Sequence, residues 1–240
     1  MNKTHFGDLR DLFKFDLVRH IMKSMPGLTS FTFIPLLTES NGRQVKKSDT
    51  KADMAKAVKN GKAGSQNSNL LQRVSRLQEI DSDLEYVQSL NSYFKNEHIL
   101  MDILHPHTFT HKERAQYFQD VFARFPKKSL VFLDPDIGLE ESKPDQRHLL
   151  FTEVEKIFDH LDENSVLMIY QHFPRTVHEN YIKKRCSQLS EITGSSPLTI
   201  TDNEILFFLC TKNPDVQKRL ETDLENYANS YPALISFTCN

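Results

Sequence analysis

Two aspartates separated by a proline follow a short apolar run in the segment LVFLDPDIGLE, residues 130–140. Asp134 and Asp136 are two positions apart, and the rigid ring of Pro135 limits how their carboxylates are aimed. Such carboxylates could accept a proton from a substrate or bind a hard cation. Together with Gly138 the segment is also typical of an ordinary turn, because Asp and Pro favour turn starts and Gly tolerates a positive φ. Both interpretations stay open for this segment taken alone.

Two further apolar runs also end in polar residues. Thr38, Glu39 and Asn41 follow the run FTFIPLL, and the run VLMIY is followed by QHFPR, which begins at Gln171. If these runs are parallel strands, their carboxyl ends lie at one edge of the sheet, where open α/β sheets bind ligands. The residues predicted to meet there are Asp134, Asp136, Glu140, Gln171, His172 and Arg175, with Thr38, Glu39 and Asn41 across the cleft.

The elements that must position these residues alternate along the chain. Continuous apolar strands such as SLVFL and SVLMIY alternate with amphipathic helices, which is typical of a parallel sheet covered on both faces. Near the C-terminus, PLTITDNEILFFLC predicts two strands joined by a tight turn, so that the last strand is antiparallel. The predicted fold class is therefore α/β, a Rossmann-like three-layer sandwich whose mostly parallel sheet ends in a C-terminal antiparallel hairpin strand.

The composition changes between Lys46 and Asn69, where lysines and small polar residues replace large apolar ones. The residues before this segment are too few to fold alone. We therefore predict a single α/β domain over residues 1–240, with a polar, flexible insertion at about residues 46–69. Its lysines are typical of a solvated face, and contact with a phosphate backbone is the alternative.

The overall composition favours a cytoplasmic protein that does not cross a membrane. The N-terminal segment lacks the apolar core of a signal peptide, and no apolar run approaches the ~20 residues that span a bilayer. Cys186, Cys210 and Cys239 are far apart and form no C-x-x-C motif, which predicts reduced thiols. A formal net charge of -2 means that any contact with nucleic acid has to be local. No metal site is predicted in HPHTFTH, because its second threonine is better explained as a helix cap.

One segment near the N-terminus resembles a known motif. FGDLRDLFKFDLVRHI is similar to the N-terminal motif of the bacterial large-subunit ribosomal RNA adenine N6-methyltransferase family. In that motif a Gly is followed by an Asp and a Lys that are three residues apart, and these residues open the helix before the first strand. Gly7, Asp11 and Lys14 match this spacing. The family carries an Asp-Pro-Pro-Tyr/Phe-type motif on its fourth strand, and LDPDIGLE stands at the corresponding place. The hairpin also resembles the antiparallel last strand of the class I methyltransferase fold. Most of the chain is similar to uncharacterised bacterial proteins with a DPDxGLE motif and a later YQH.

The resemblance implies a methyltransferase-type domain that binds S-adenosylmethionine and acts on a nucleic acid. Asp11 and Lys14, with Thr38 and Glu39, would contact the cofactor. Asp134, with Asp136 and His172 beside it, would act at the reacting centre by accepting a hydrogen bond from the target amine or hydroxyl. Gln171, Arg175 and Glu140 would line the substrate side.

The chain departs from the family at two places. Where the family has a glycine-rich loop after its first strand, this chain reads LTESNGRQ with the single glycine Gly42. Asp136 and Ile137 replace the second proline and the aromatic residue of the fourth-strand motif. A carboxylate thus stands where the family has an apolar clamp, and we predict that a basic partner, Lys14 or Arg175, neutralises it.

Two other functions fit the same residues. Asp134, Asp136 and Glu140 are oxygen donors that would suit Mg²⁺ or Mn²⁺ in a metal-dependent phosphodiesterase or nuclease, with His172 as general base. The chain could also be a non-catalytic α/β binding module. The oligomeric state is not predictable from these patterns.

Overall fold

A computed structural model describes residues 6–38, 50–80, 82–110, 112–231 and 233–238 of the chain. The helices are α1 (Leu9–Ser24), α2 (Thr50–Lys59), α3 (Ser68–Leu77), α4 (Asp83–Asn96), α5 (Arg114–Ala123), α6 (Phe151–His160), α7 (His178–Thr193) and α8 (Pro214–Ala228). The strands are β1 (Ser30–Ile34), β2 (Met101–Ile103), β3 (Ser129–Leu133), β4 (Gly138–Leu139), β5 (His148–Leu149), β6 (Val166–His172), β7 (Leu198–Thr201), β8 (Ile205–Cys210) and β9 (Ile235–Thr238).

The central sheet has seven strands in the order β2-β1-β3-β6-β8-β7-β9. The first four strands are parallel to one another, whereas β8 pairs antiparallel with both β6 and β7. Thr199 faces Phe208 and Ile200 faces Phe207 across the hairpin, and β9 adds a further antiparallel pair at the edge. The predicted mostly parallel sheet with a C-terminal antiparallel hairpin is confirmed.

Helices cover both faces of this sheet. Successive strand residues point to opposite sides, and both sets of side chains are apolar, so each face needs a covering layer. On one face, Phe132 and Met168 pack with residues of α1, α3, α4 and α8. On the other face, Leu133 and Ile169 pack with residues of α5, α6 and α7. The result is the three-layer α/β sandwich that the alternation of strands and helices predicts.

The first helix is buried on nearly all sides, which is unusual for a helix with several charges. It contacts α3, α8 and β1, and its buried residues include Asp11, Lys14 and Asp16. Asp8 caps the helix by accepting a hydrogen bond from Arg10 N. Because buried charges need partners, each of the three charged side chains must find one inside the protein.

The described part of the predicted insertion forms α2 and leads into α3. Three of its apolar side chains, Met54, Ala57 and Ala63, lie in the core that contains α1, whereas Val58 is exposed. Gly64 is so close to α1 that an added Cβ would lie 2.5 Å from Leu12 O. The low apolar content therefore reflects a short packed helix with one apolar side. Residues 46–49 lie outside the described residues, and the flexibility of the segment stays a prediction.

Two sequence predictions concern the environment of the protein. Among the described residues, the structure contains no helix with the length and hydropathy of a membrane span. Cys210 is a buried free cysteine, as expected, but Cys186 is disulfide-bonded, so the prediction of reduced thiols is wrong for this residue.

Candidate functional site

Three charged side chains meet where β3 reaches the carboxyl edge of the sheet. Lys14 Nζ lies 3.0 Å from both carboxylate oxygens of Asp134 and 3.5 Å from Asp11 Oδ1. Asp134 is fully buried, and Asp11 and Lys14 are only 1% and 5% exposed. We refer to these residues, Asp11, Lys14 and Asp134, as the Lys14 cluster. It joins α1 to the residue directly after β3, 120 positions along the chain.

Gly7 explains why the spacing of Gly7, Asp11 and Lys14 matters. Its backbone N–H donates to Asp11 Oδ2 over 2.8 Å, and its φ of 74° is one that favours glycine. An added Cβ would lie 2.6 Å from Val74 O in α3. Gly7 can therefore approach α3 closely while its amide holds Asp11, and Lys14, three residues further along α1, is placed beside Asp134.

The pKa values in the cluster reflect burial first and the neighbouring charges second. Burial raises the pKa of Asp11 to about 7; Lys14 opposes this rise, whereas Asp8 and Asp134 add to it. Burial acts to lower the pKa of Lys14, but the surrounding acidic groups raise it to a net value above its ordinary range. Burial also raises the pKa of Asp134, and Lys14 opposes this. Lys14 is thus a permanent cation at neutral pH, and Asp11 titrates there.

Tyr170 and His172 connect the cluster to the end of β6. Lys14 Nζ lies 4.1 Å from the centroid of the Tyr170 ring, close enough for a cation–π interaction. The Tyr170 hydroxyl and His172 Nε2 are 2.9 Å apart and share a hydrogen bond. Both side chains lie on the face of the sheet that carries α1, since they are two residues apart in one strand. Sequence reasoning found His172 but missed Tyr170, which its apolar strand conceals.

Gln171 points to the opposite face and does not join the cluster. Its Oε1 accepts a hydrogen bond from Leu139 N over 2.8 Å, and its Nε2 donates to the carbonyl oxygens of Ile137 and His172. Gly138, with a φ of 125°, leaves room for this side chain, because an added Cβ would lie 2.3 Å from Gln171 Nε2. The expectation that Gln171 converges with Asp134 on a substrate is therefore wrong. Successive strand residues alternate in direction, and its amide fastens the loop after β3 to β6.

Asp136 also differs from expectation in its partner. Lys14 forms its ion pairs with Asp134 and Asp11, and Arg175 is exposed. The half-buried Asp136 instead helps to raise the pKa of Arg147, whose main partner is Asp145. The contacts of the described residues give no support to the predicted neutralisation of Asp136 by Lys14 or Arg175.

Glu140 has a structural contact instead of a free carboxylate. Its Oε1 accepts a hydrogen bond from Phe151 N over 2.8 Å, which satisfies one of the unpaired amides at the start of α6. Arg114, at the start of α5, forms a buried ion pair with Glu153 of α6. The predicted role of Glu140 in substrate binding has no support from these contacts.

Thr38 lies at the carboxyl edge just beyond β1, as predicted. It is only 2% exposed, and its Oγ1 is buried without a hydrogen-bond partner. The neighbouring Leu37 O accepts a hydrogen bond from Phe109 N, which holds this segment against the chain that follows β2. Glu39 and Asn41 lie outside the described residues.

The metal alternative can be compared with the same contacts. Within the described residues, no group of three or more His, Cys, Asp or Glu side chains is arranged to hold a metal ion. Asp134 contacts an ammonium, and Glu140 contacts an amide at the start of a helix. His105 pairs loosely with Asp120 at 3.4 Å and packs on Tyr117, while His111 lies outside the described residues.

Two of the predicted cofactor contacts, Asp11 Oδ1 and Thr38 Oγ1, are buried oxygens without a hydrogen bond, which is uncommon in folded proteins. Tyr86 on α4 adds a hydroxyl 3.4 Å from Asp11 Oδ2, and no sequence signal pointed to it. Comparison with known proteins adds no further assignment, since neither a protein-family profile nor a curated protein matches the chain.

Proposed function

We propose that this protein is a methyltransferase-type domain that binds S-adenosylmethionine, or a related nucleoside, and acts on a nucleic acid. The observation that carries the proposal is the position of the Lys14 cluster. It lies at the carboxyl edge of adjacent parallel strands, where open α/β sheets bind ligands. Its members come from the two segments that resemble methyltransferase motifs.

The sheet order supports the same proposal. An antiparallel strand, β8, lies between β6 and β7 near the edge of an otherwise mostly parallel sheet. This arrangement is the one that the class I methyltransferase fold implies for its last strand. Because one fold can serve many functions, the sheet order supports the proposal only together with the site.

The chemistry requires an acceptor near the atom that is methylated. When bound, S-adenosylmethionine supplies an electrophilic methyl group on a sulfonium. A target nitrogen that took up this methyl group would also have to give up a proton, and Asp134 is the carboxylate that would receive it. Asp134 is proposed to accept a hydrogen bond from that nitrogen. Both of its oxygens contact Lys14, so a target amine has to replace one of these contacts.

Exposed cations on the surface of the protein would suit a nucleic acid partner. Arg175 lies exposed in the loop after β6, and Lys56 and Lys59 are exposed on α2. Phosphate contacts of this kind give sequence-independent affinity that falls steeply with salt concentration. With a formal net charge of -2 for the whole chain, binding would depend on such local groups.

A methyl-transfer assay tests the proposal. Purified protein is incubated with S-adenosylmethionine carrying a labelled methyl group and with separate pools of ribosomal RNA, transfer RNA and DNA. We expect label to enter one nucleic acid pool with the wild type and not with Asp134→Asn. The control Asp16→Asn, which changes another buried carboxylate of the cluster's helix, should retain transfer. Absence of transfer to every pool, or Mn²⁺-dependent cleavage of the nucleic acid instead, would contradict the proposal.

A further inference from the structure

A small polar cavity of about 200 Å³ lies between α3 and α4. We refer to it as the α3–α4 cavity. The residues that line it are Asn69, Gln72, Arg73 and Arg76 of α3, Tyr93 and Asn96 of α4, and Glu97 directly after α4. Two of these side chains are guanidiniums and three are amides, so most of the lining can donate hydrogen bonds.

The protein does not neutralise the two arginines of this cavity. Arg76 is exposed, and among the described residues its side chain forms neither an ion pair nor a hydrogen bond. Arg73 is half-buried, and its Nη1 donates to the Ser89 hydroxyl over 3.3 Å, which orients the guanidinium without neutralising it. The two residues are three positions apart, so they lie on the same side of α3.

Glu97 is the only carboxylate among the described residues that line the cavity, and its charge is already matched. Its Oε2 accepts hydrogen bonds from Arg19 Nε over 2.7 Å and from the Lys23 ammonium. These two cations outweigh the one carboxylate, and Arg73 and Arg76 add to the imbalance. The surroundings of the cavity are therefore positive, which favours an anionic ligand.

We propose that the α3–α4 cavity binds one phosphate group of a nucleic acid backbone. The inference rests on the proposed function, because it takes a nucleic acid as the substrate. The fork of an arginine side chain matches the oxygens of a phosphate and can donate two parallel hydrogen bonds to it. The cavity is smaller than the roughly 300–1,000 Å³ of pockets that enclose whole small molecules, so it suits a phosphate group better than a nucleoside.

The fourth helix connects this cavity with the proposed site. Tyr86, near the start of α4, contacts Asp11, and Tyr93, which lines the cavity, follows seven residues later. This separation is about 10 Å along a helix, which corresponds to a few nucleotides of a strand that rises about 3.4 Å per nucleotide. A backbone contact here would position the substrate without reading its sequence.

The salt dependence of binding tests this contact. The full-length protein is titrated into labelled single-stranded RNA and, separately, single-stranded DNA at chloride concentrations from about 50 to about 200 mM. On a single strand, each phosphate contact contributes about 0.7 to the slope of log affinity against log salt. Arg73→Gln/Arg76→Gln should therefore lower the slope by about 0.7 and weaken binding roughly fivefold at about 0.1 M salt. The weakening should be equal for strands of different sequence.

Two single variants accompany the double variant. Arg76→Gln removes a side chain without a partner among the described residues, so it should fold like the wild type and show a smaller loss of affinity in the same direction. Arg124→Gln is the matched control, because it changes an exposed arginine at the end of α5, which covers the other face of the sheet. Its slope should equal that of the wild type. Thermal unfolding checks that each variant is folded.

Inorganic phosphate distinguishes a backbone phosphate from a free one. Calorimetric titration of the wild type and of Arg73→Gln/Arg76→Gln with sodium phosphate, at constant ionic strength, shows whether the cavity takes up the free anion. Phosphate binding that is lost in the double variant, while its affinity for RNA and DNA stays unchanged, would assign the cavity to free phosphate and overturn the proposal.

The remaining outcomes separate this inference from the proposed function. A slope that falls in the double variant but not in Arg124→Gln supports the phosphate contact, and it does so even if the protein transfers no methyl group, which would contradict the proposed function alone. An unchanged slope, or an equal fall in Arg124→Gln, overturns the inference and leaves the proposed function standing. If the wild type binds neither RNA nor DNA, the phosphate contact and the proposed action on nucleic acid fail together.

Discussion

Replacing Lys14 with methionine would remove the only described cation that contacts both Asp11 and Asp134. Methionine preserves most of the packing volume, so the main change is the loss of charge. Removing one partner of a buried ion pair destabilises a protein by about 3–5 kcal/mol, because the other charge stays buried. Here two carboxylates lose their common partner, and neither is open to solvent. We expect a loss of about 4–5 kcal/mol at pH ~8, at the upper end of that range.

The loss should depend on pH in a definite direction. Without the ammonium, the pKa values of Asp11 and Asp134 rise further in the folded state, and a carboxyl with a raised pKa makes folding more favourable at low pH. For each extra proton that the folded variant binds, the loss should therefore shrink by about 1.4 kcal/mol per pH unit as the pH falls. The double variant Lys14→Met/Asp134→Asn should recover part of the stability even at pH ~8, because one stranded charge is gone.

Urea unfolding followed by circular dichroism measures these differences, since the chain has no tryptophan. Lys23→Met is the control: it changes an exposed lysine in the last turn of the same helix, whose partner is Glu97. An exposed pair of this kind contributes at most about 1 kcal/mol. A loss below about 1 kcal/mol for Lys14→Met, or a larger loss that is the same at every pH, would refute the description of the cluster as buried and charged.

Three other substitutions test the surroundings of the site. Gly138→Ala should destabilise the protein by about 1–3 kcal/mol, because the backbone is left-handed and a Cβ would lie 2.3 Å from a buried amide, whereas Gly27→Ala, in open space, should change stability by less than about 1 kcal/mol in the same urea experiment. As the pH rises from about 4 to about 7, the free energy of unfolding should fall less in Asp11→Asn than in the wild type. In the wild type, the raised pKa of Asp11 means that the folded state becomes less stable as this carboxyl ionises, and Asn does not ionise. Equal pH profiles would contradict this. Tyr227→Phe removes one of two hydroxyls that donate to Asp16 over 3.0 Å and should cost about 1–3 kcal/mol, measured by thermal unfolding; an unchanged Tm would contradict it.

The fold was largely predictable because apolar periodicity controls it. The strands SLVFL and SVLMIY are buried along their whole length, as continuous apolar runs in parallel strands should be. The hairpin was readable from its turn, where Asn203 has a φ of 66° and Asp202 accepts hydrogen bonds from two following amides. Composition alone does not show that Met54 and Ala57 of α2 pack into the core, because the two residues are surrounded by polar ones in the sequence.

The site was predictable in its centre and less so in its details. Strand ends indicated Asp134 and His172, and the resemblance of FGDLRDLFKFDLVRHI to a methyltransferase motif indicated Asp11 and Lys14. Gln171 was misjudged because convergence at a sheet edge does not tell which face a side chain takes; the alternation along β6 decides that. Tyr86 contributes through tertiary packing alone, so no local pattern marks it.

A crystal structure of the protein grown with millimolar S-adenosylmethionine would test the central claim most directly. The account predicts electron density for the nucleoside at the carboxyl edge of β1, β3 and β6, with a donor group of the ligand within hydrogen-bond distance of Asp11 Oδ1. Density instead in the polar cavity of about 350 Å³ that Asp16 and His20 line beside α8, or no bound nucleoside at all, would contradict it.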